Sequence, residues 1–141
     1  ITKLDIPDRP NETTLRFLDD DTMMALVRRE AGNRNAYLGT SKPPYTEWTF
    51  KELAYNIGGP NFIVLPTGKI WAAGRLYVPE VKTALGPLSQ DAYTPTLILP
   101  SASDTSYPGL IWRDNLLWVS YYASHEGKAS IYLAKVRLPE Q

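Results

Sequence analysis

Cysteine is absent from all 141 residues, which removes disulfides, thiolate metal sites and a cysteine nucleophile. Histidine occurs once, at His125, too rarely for a multi-histidine metal centre. No metal or other cofactor is therefore expected. No apolar run approaches the roughly 20 residues that span a bilayer as a helix. Neither sign of charge dominates, since 15 Lys and Arg balance 15 Asp and Glu. Without a basic stripe or a charge block, neither nucleic acid nor a membrane surface is the expected partner. The first residue is Ile rather than Met, compatible with a trimmed start or a piece of something longer.

What remains is rich in aromatic and β-branched runs. The clearest stretch is Asp104 to Val136. Its apolar runs Leu110–Trp112, Leu116–Tyr122 and Ser130–Val136 are separated by a tight polar turn (Arg113, Asp114, Asn115) and by the loop Ser124–Lys128. Such runs between turn residues read as an antiparallel meander. The length suits one domain with a real core.

The design repeats. Thr14–Leu18 superposes on Asn61–Leu65 and the turn Asp19–Asp21 on Pro66–Gly68. Met23–Arg28 falls on Ile70–Arg75, and Ala36–Gly39 on Thr83–Gly86. A third copy follows, with Phe62 on Leu110, Pro60 on Pro108 and Trp71 on Trp118, its turn one residue shorter. The first two copies add fourth strands at Thr49–Tyr55 and Thr94–Leu99. Four strands per period of this length indicate propeller blades. Apolar residues on both faces of the inner strands favour blades over a two-sheet sandwich, the structural alternative.

The expected fold is all-β: three four-stranded antiparallel blades forming half of a six-bladed propeller. The blade-like units span about 11–56, 58–100 and 105–138 of a single domain. The segment Ile1–Ile6 reads as a closing strand that completes a last blade. Closure then requires either a missing half or a homodimer, because bare end blades leave open sheet edges.

Hairpin geometry sets Glu12 opposite Arg28, Gly59 opposite Arg75 and Tyr107 opposite Tyr122. All three pairs fall at one level, a rim of the expected central channel. Singly, a cross-strand Glu–Arg pair is often a surface ion pair worth well under ~1 kcal/mol. Strand-end tyrosines are often core lids with wet hydroxyls. Their shared level is what makes the set a candidate site.

At these residues the chain resembles the sialidase (neuraminidase) superfamily of six-bladed propellers with bacterial-neuraminidase repeats. Asn11–Thr14 followed by Met24–Arg28 resembles the segment with the catalytic Glu and one carboxylate-binding Arg. Thr105–Leu110 followed by Leu117–Tyr122 resembles the segment with the nucleophilic Tyr. Ile131–Lys135 resembles the strand that follows. The likeness covers the C-terminal half of a family member. Ser41 and Trp48 stand at the ends of an eroded Asp-box, a blade-turn device.

The resemblance implies a glycoside hydrolase acting on acidic sugars, with Tyr107 as nucleophile and Glu12 as its base. Arg28 and Arg75 would bind the substrate carboxylate. Tyr122 and His125 complete the expected substrate-binding set, and secretion or a periplasmic location would follow. A phenol suits a substrate whose carboxylate adjoins the anomeric carbon, since a carboxylate nucleophile would be repelled. The family's first arginine and its acid Asp come from N-terminal blades that this chain does not contain. The competing expectation is a non-catalytic glycan-binding or assembly module. His125 in its polar loop also reads as a solvated residue, and Asp19–Asp21 as a hairpin turn rather than a calcium loop.

Overall fold

The computed structural model describes residues 1–139 and contains, among them, eleven β-strands in three antiparallel sheets. The first sheet holds β1 (Pro10–Phe17), β2 (Met23–Arg29), β3 (Tyr37–Ser41) and β4 (Thr49–Glu52), in that order. The second repeats the order with β5 (Gly58–Val64), β6 (Ile70–Leu76), β7 (Lys82–Leu88) and β8 (Leu97–Ile98). The third has β9 (Thr105–Arg113), β10 (Leu116–Ala123) and β11 (Ser130–Val136). Strand β5 lies between β1 and β9, so the first strands of the three sheets sit side by side. This is a partial β-propeller, with three blades and the inner strands β1, β5 and β9.

One expectation is corrected: within the chain the third blade has three strands, not four. Among the described residues, residues 1–6 pair with no strand, so the outer edge of β11 is free within a single copy. The fourth strands also form over shorter stretches than expected. Strand β8 keeps only two residues, although Thr94 and Thr96 still donate to the Pro87 and Leu85 carbonyls of β7 (both 3.0 Å).

The two-sided apolar pattern has a direct cause in blade two, the middle sheet, which is packed on both faces. Met24, Leu26 and Leu38 of blade one meet Phe62, Ile70 and Ala72 of blade two. The other face of blade two sends Trp71, Ala73 and Leu85 against Leu117, Val119 and Tyr121 of blade three. Each such buried large side chain stabilises the fold by about 1.5–3 kcal/mol. The shorter third hairpin turn is a two-residue one, with Asp114 and Asn115 at φ 53° and 58°. Positive φ at both positions matches the right-handed strand twist, and Asn and Asp tolerate it. Ser41 and Trp48 close the turn between β3 and β4: the Ser41 hydroxyl bonds the Glu47 carbonyl (2.5 Å), and the Trp48 indole donates to the Tyr45 carbonyl (3.0 Å).

One buried cation braces blade one. Arg29, only 1% exposed, donates to Asp8 (2.8 Å), Glu52 (2.8 Å), Asn33 (2.7 Å) and the Asn35 carbonyl (2.7 Å). Its guanidinium also lies over the Tyr37 ring, 3.9 Å from the centroid. It thereby ties β2 to β4, to the β2–β3 loop and to the segment before β1. Replacing Arg29 by Met leaves Asp8 and Glu52 without their cation. Because both acids keep partial access to water, the expected loss lies at the low end for a broken buried pair, about 3 kcal/mol. A lowered urea midpoint checks this. An unchanged midpoint would show that the brace is dispensable.

Candidate functional site

All three inner hairpins break register within one residue of the same level. Pairing is regular from the tight turn up to Thr13–Val27, Asn61–Ala73 and Gly109–Ser120. Beyond it the partners become Pro10–Arg29, Gly58–Arg75 and Ser106–Tyr122. The opposite pairs expected for Gly59 and Tyr107 are thus off by one residue, because a bulge takes up Glu12, Gly59 and Tyr107. A bulge re-aims its extra side chain, which is why such features gather beside active sites. Gly59 and Tyr107 carry φ of 54° and 51°. Glycine accepts this freely, whereas an aromatic residue there is strained. A Cβ on Gly59 would collide with the Ser106 hydroxyl and crowd the Tyr107 amide, so glycine lets blades two and three approach.

The bulges bring Glu12 to the centre. Its Oε1 accepts a hydrogen bond from the Tyr107 hydroxyl (2.6 Å). Its Oε2 accepts from the Gly59 amide (2.7 Å) and from Arg28 Nη1 (2.9 Å). Arg28 also reaches Glu30 (3.1 Å). Partial burial pushes the Glu12 carboxyl upward, but bonds from Tyr107, Gly59 and Arg28 outweigh it and hold the carboxyl below its ordinary value. The same bond to Glu12, with the carboxylate's charge, pushes the Tyr107 phenol above its ordinary value, against the pull of Arg28 and Arg75. Arg28 loses some solvation, yet Glu12 and its other neighbours raise its pKa.

A second tyrosine–carboxylate pair adjoins the first. Tyr122 stacks on Tyr107, ring centroids 6.1 Å apart, and donates to Asp104 (2.5 Å), which raises its phenol pKa. Arg75 lies 3.8 Å from Asp104 and donates from Nε to the Tyr77 hydroxyl (3.1 Å). Glu12, Arg28, Arg75, Tyr107 and Tyr122 thus converge. His125 does not join their hydrogen bonds. It packs on Tyr132 (4.8 Å between centroids) beside the outer strand β11, where Tyr132 donates to Glu126 (2.6 Å).

Four participants escape a reading of the repeat alone. Asp104, Glu30 and Tyr77 lie just beyond strand ends, where the repeat no longer predicts position. Arg16 lies on β1 and lines the channel, bonded to Asn61 (2.9 Å), which donates in turn to the Pro108 carbonyl (2.8 Å). The available signal was spacing. Tyr77 and Arg75 stand two residues apart at the end of β6, where a Cβ on Gly58 would strike the Tyr77 hydroxyl.

Glu12, Arg16, Asn61 and Tyr107 line an open groove of about 570 Å³ along the inner strands. A larger hollow of about 680 Å³ lies at the opposite turns, around Pro66, Trp112 and Leu138. The smaller groove is the one that holds the strained Tyr107 and its carboxylate partner, and it is the candidate site. Tyr107 remains 59% exposed and is open to a ligand. The groove offers a neutral phenol, a carboxylate that is ionised at neutral pH and the Arg16 side chain, while Arg28, bonded to that carboxylate, and Arg75, near Asp104, stand outside its lining.

No family model and no curated protein matches the chain. Solved structures do resemble it in fold. A Dyadobacter fermentans protein of unknown function superposes with TM-score 0.71 at 16% identity over 93% of this chain and 40% of its own. A Bacteroides ovatus protein named "Xyloglucan PUL GH43B" gives 0.66 at 14% identity over 90% of this chain and 26% of its own. An endo-1,4-beta-xylanase from Bacteroides thetaiotaomicron gives 0.65 at 10% identity over 90% of this chain and 50% of its own. The chain therefore spans half or less of the length of these neighbours, and the likeness at such identity concerns the fold.

The Glu12–Tyr107 bond makes a direct prediction. Removing the carboxylate charge in Glu12→Gln lowers the Tyr107 phenol pKa, because an anion beside a phenol disfavours phenolate. Carbon NMR of ring-labelled tyrosine, assigned with Tyr107→Phe, reads the change. An unshifted or raised value would refute the coupling.

Proposed function

We propose that this groove is the reacting part of a glycoside-hydrolase site for acidic sugars, of the sialidase type. The observation that carries this reading is the 2.6 Å contact between the strained, exposed Tyr107 and the clamped carboxylate of Glu12. Tyr107 Oη attacks the anomeric carbon while Glu12 takes the phenol proton, and the glycosidic carbon–oxygen bond breaks. The leaving oxygen keeps the bonding pair and collects a proton from solvent or from an acid elsewhere in a completed channel. Water then attacks the glycosyl–tyrosine bond. Glu12 returns its proton to the departing phenolate, and the water's surplus proton passes to solvent. Two displacements retain the anomeric configuration.

Arg28 and Arg75 supply the preference for an anionic substrate, each offering donors in a planar fork. A neutral nucleophile is compatible with a substrate carboxylate beside the reacting carbon, where another carboxylate would be repelled. The fold neighbours named for xyloglucan and xylanase chemistry support a saccharide as the ligand class. The competing reading is a glycan-binding module without turnover, in which Arg28 and Arg75 hold the sugar's carboxylate and no leaving group departs.

The test is hydrolysis of an aryl glycoside of a carboxylated sugar, alongside direct binding of the free sugar. Tyr107→Phe is expected to reduce turnover to background, and Glu12→Gln to lower it by about 10²–10⁴-fold, both with unchanged folding. Arg28→Ala and Arg75→Ala should each weaken binding by about tenfold or more, the scale of a charge-assisted bond. Turnover that survives both Tyr107→Phe and Glu12→Gln would remove the mechanism. Binding without turnover, weakened by the arginine variants, would establish the second reading.

A further inference from the structure

Half of the exposed large hydrophobic side chains lie on two surfaces, the outward faces of the first and third blades. On blade three, Ile111 is 65% exposed and Leu133 64%, with Ile131 beside them. On blade one, Phe17 is 57% exposed and Leu15 47%. A single edge residue of this kind means little, but a contiguous apolar sheet face marks a contact surface.

The repeat says what kind of contact. On blade two, Ile63 pairs with Trp71 and Ala73 with Leu85, and this face holds blade three. On blade three, Ile111 pairs with Trp118 and Ser120 with Leu133 at the equivalent positions. The open face of blade three therefore carries the same Ile, Trp and Leu that blade two uses to dock its successor. Blade one presents the complementary side. Leu15 and Phe17 stand where Phe62 and Val64 of blade two, and Leu110 and Trp112 of blade three, pack against the blade before them.

A second observation is independent of these faces. Strand β4, Thr49–Glu52, shifted back by the 47-residue repeat, falls on residues 2–5. Those residues occupy the position of a fourth strand, yet among the described residues they pair with no strand. Strand β11 ends the third sheet with an unpaired edge, the one place where a fourth strand is lacking.

We propose that both features are met by a second copy of this chain, docked head to tail. The open face of blade three covers the open face of blade one of its partner, and residues 2–5 of that partner pair with β11. The contact is reciprocal, so two copies close a ring of six blades and leave neither face nor edge exposed. The proposal stands on packing and pairing alone and does not depend on the function assigned to the groove.

Light scattering on a sizing column tests it. The expected mass is twice 15.8 kDa, and Ile111→Asp is expected to halve it while leaving the β-sheet circular dichroism and cooperative thermal unfolding of the chain intact. Absence of native cysteine permits a second, geometric test. Within the chain, Ile63 and Trp112 share one hydrophobic cluster, so Ile111 should meet the partner's Phe17 position. A mixture of Phe17→Cys and Ile111→Cys chains is then expected to form an oxidised cross-link joining one of each, and neither variant alone should cross-link. A single-copy mass at every concentration would overturn the proposal and point to blades of another source on these faces. Cross-links between like positions would overturn the head-to-tail arrangement.

Discussion

One carboxylate holds the channel end of all three blades in register. Glu12 belongs to blade one, accepts the amide of Gly59 from blade two and the phenol of Tyr107 from blade three, and is held by Arg28 of its own hairpin. Three donors converge on two oxygens, which keeps the acid ionised although it has lost part of its water. The bond to Tyr107 spans 95 residues of sequence and exists only because the blades repeat. The bulge of each inner strand lifts one residue off the ladder, and the repeat stacks those three residues at one level. Site and fold therefore share one geometric device.

That sharing explains what was legible in the sequence. The strands, their antiparallel order and the tight-turn centres follow from apolar runs and turn residues, which are local signals. The level shared by Glu12, Gly59 and Tyr107 follows from the repeat, and so does the convergence of Arg28, Arg75 and Tyr122. The bulges did not show, because a one-residue slip leaves composition and period unchanged. The Gly59-Pro60 and Tyr107-Pro108 pairs hint at it, since proline gives the ladder no donor and is tolerated at bulges. Arg29 was invisible for another reason. An arginine at a strand end reads as a surface charge, and only the fold brings Asp8 and Glu52 within 2.8 Å of it. His125 shows the opposite case: its chemistry is plain in the sequence, but only the fold shows it packed on Tyr132 and not hydrogen-bonded into the network.

The molecule thus carries two kinds of exposed surface. At the groove, polar and charged groups point at one another and leave a phenol exposed. On the end faces, apolar side chains repeat the pattern of the buried blade contacts without a neighbour. Tyr107 departs from its preferred backbone region at the groove, whereas the β10–β11 ladder of the third blade's end face is regular. A strained residue tied to a clamped acid is what the proposed chemistry needs, and an exposed apolar sheet face is what a packing contact needs.

The most direct test of the central claim is intact-protein mass spectrometry after treatment with a fluorinated glycosyl fluoride of a carboxylated sugar. Fluoride departs without needing a proton, so the experiment interrogates the nucleophile alone. The account predicts one covalent adduct per chain, mapped by proteolysis to Tyr107 and lost in Tyr107→Phe. An adduct on any other residue, or none while the sugar is seen to bind, would contradict it.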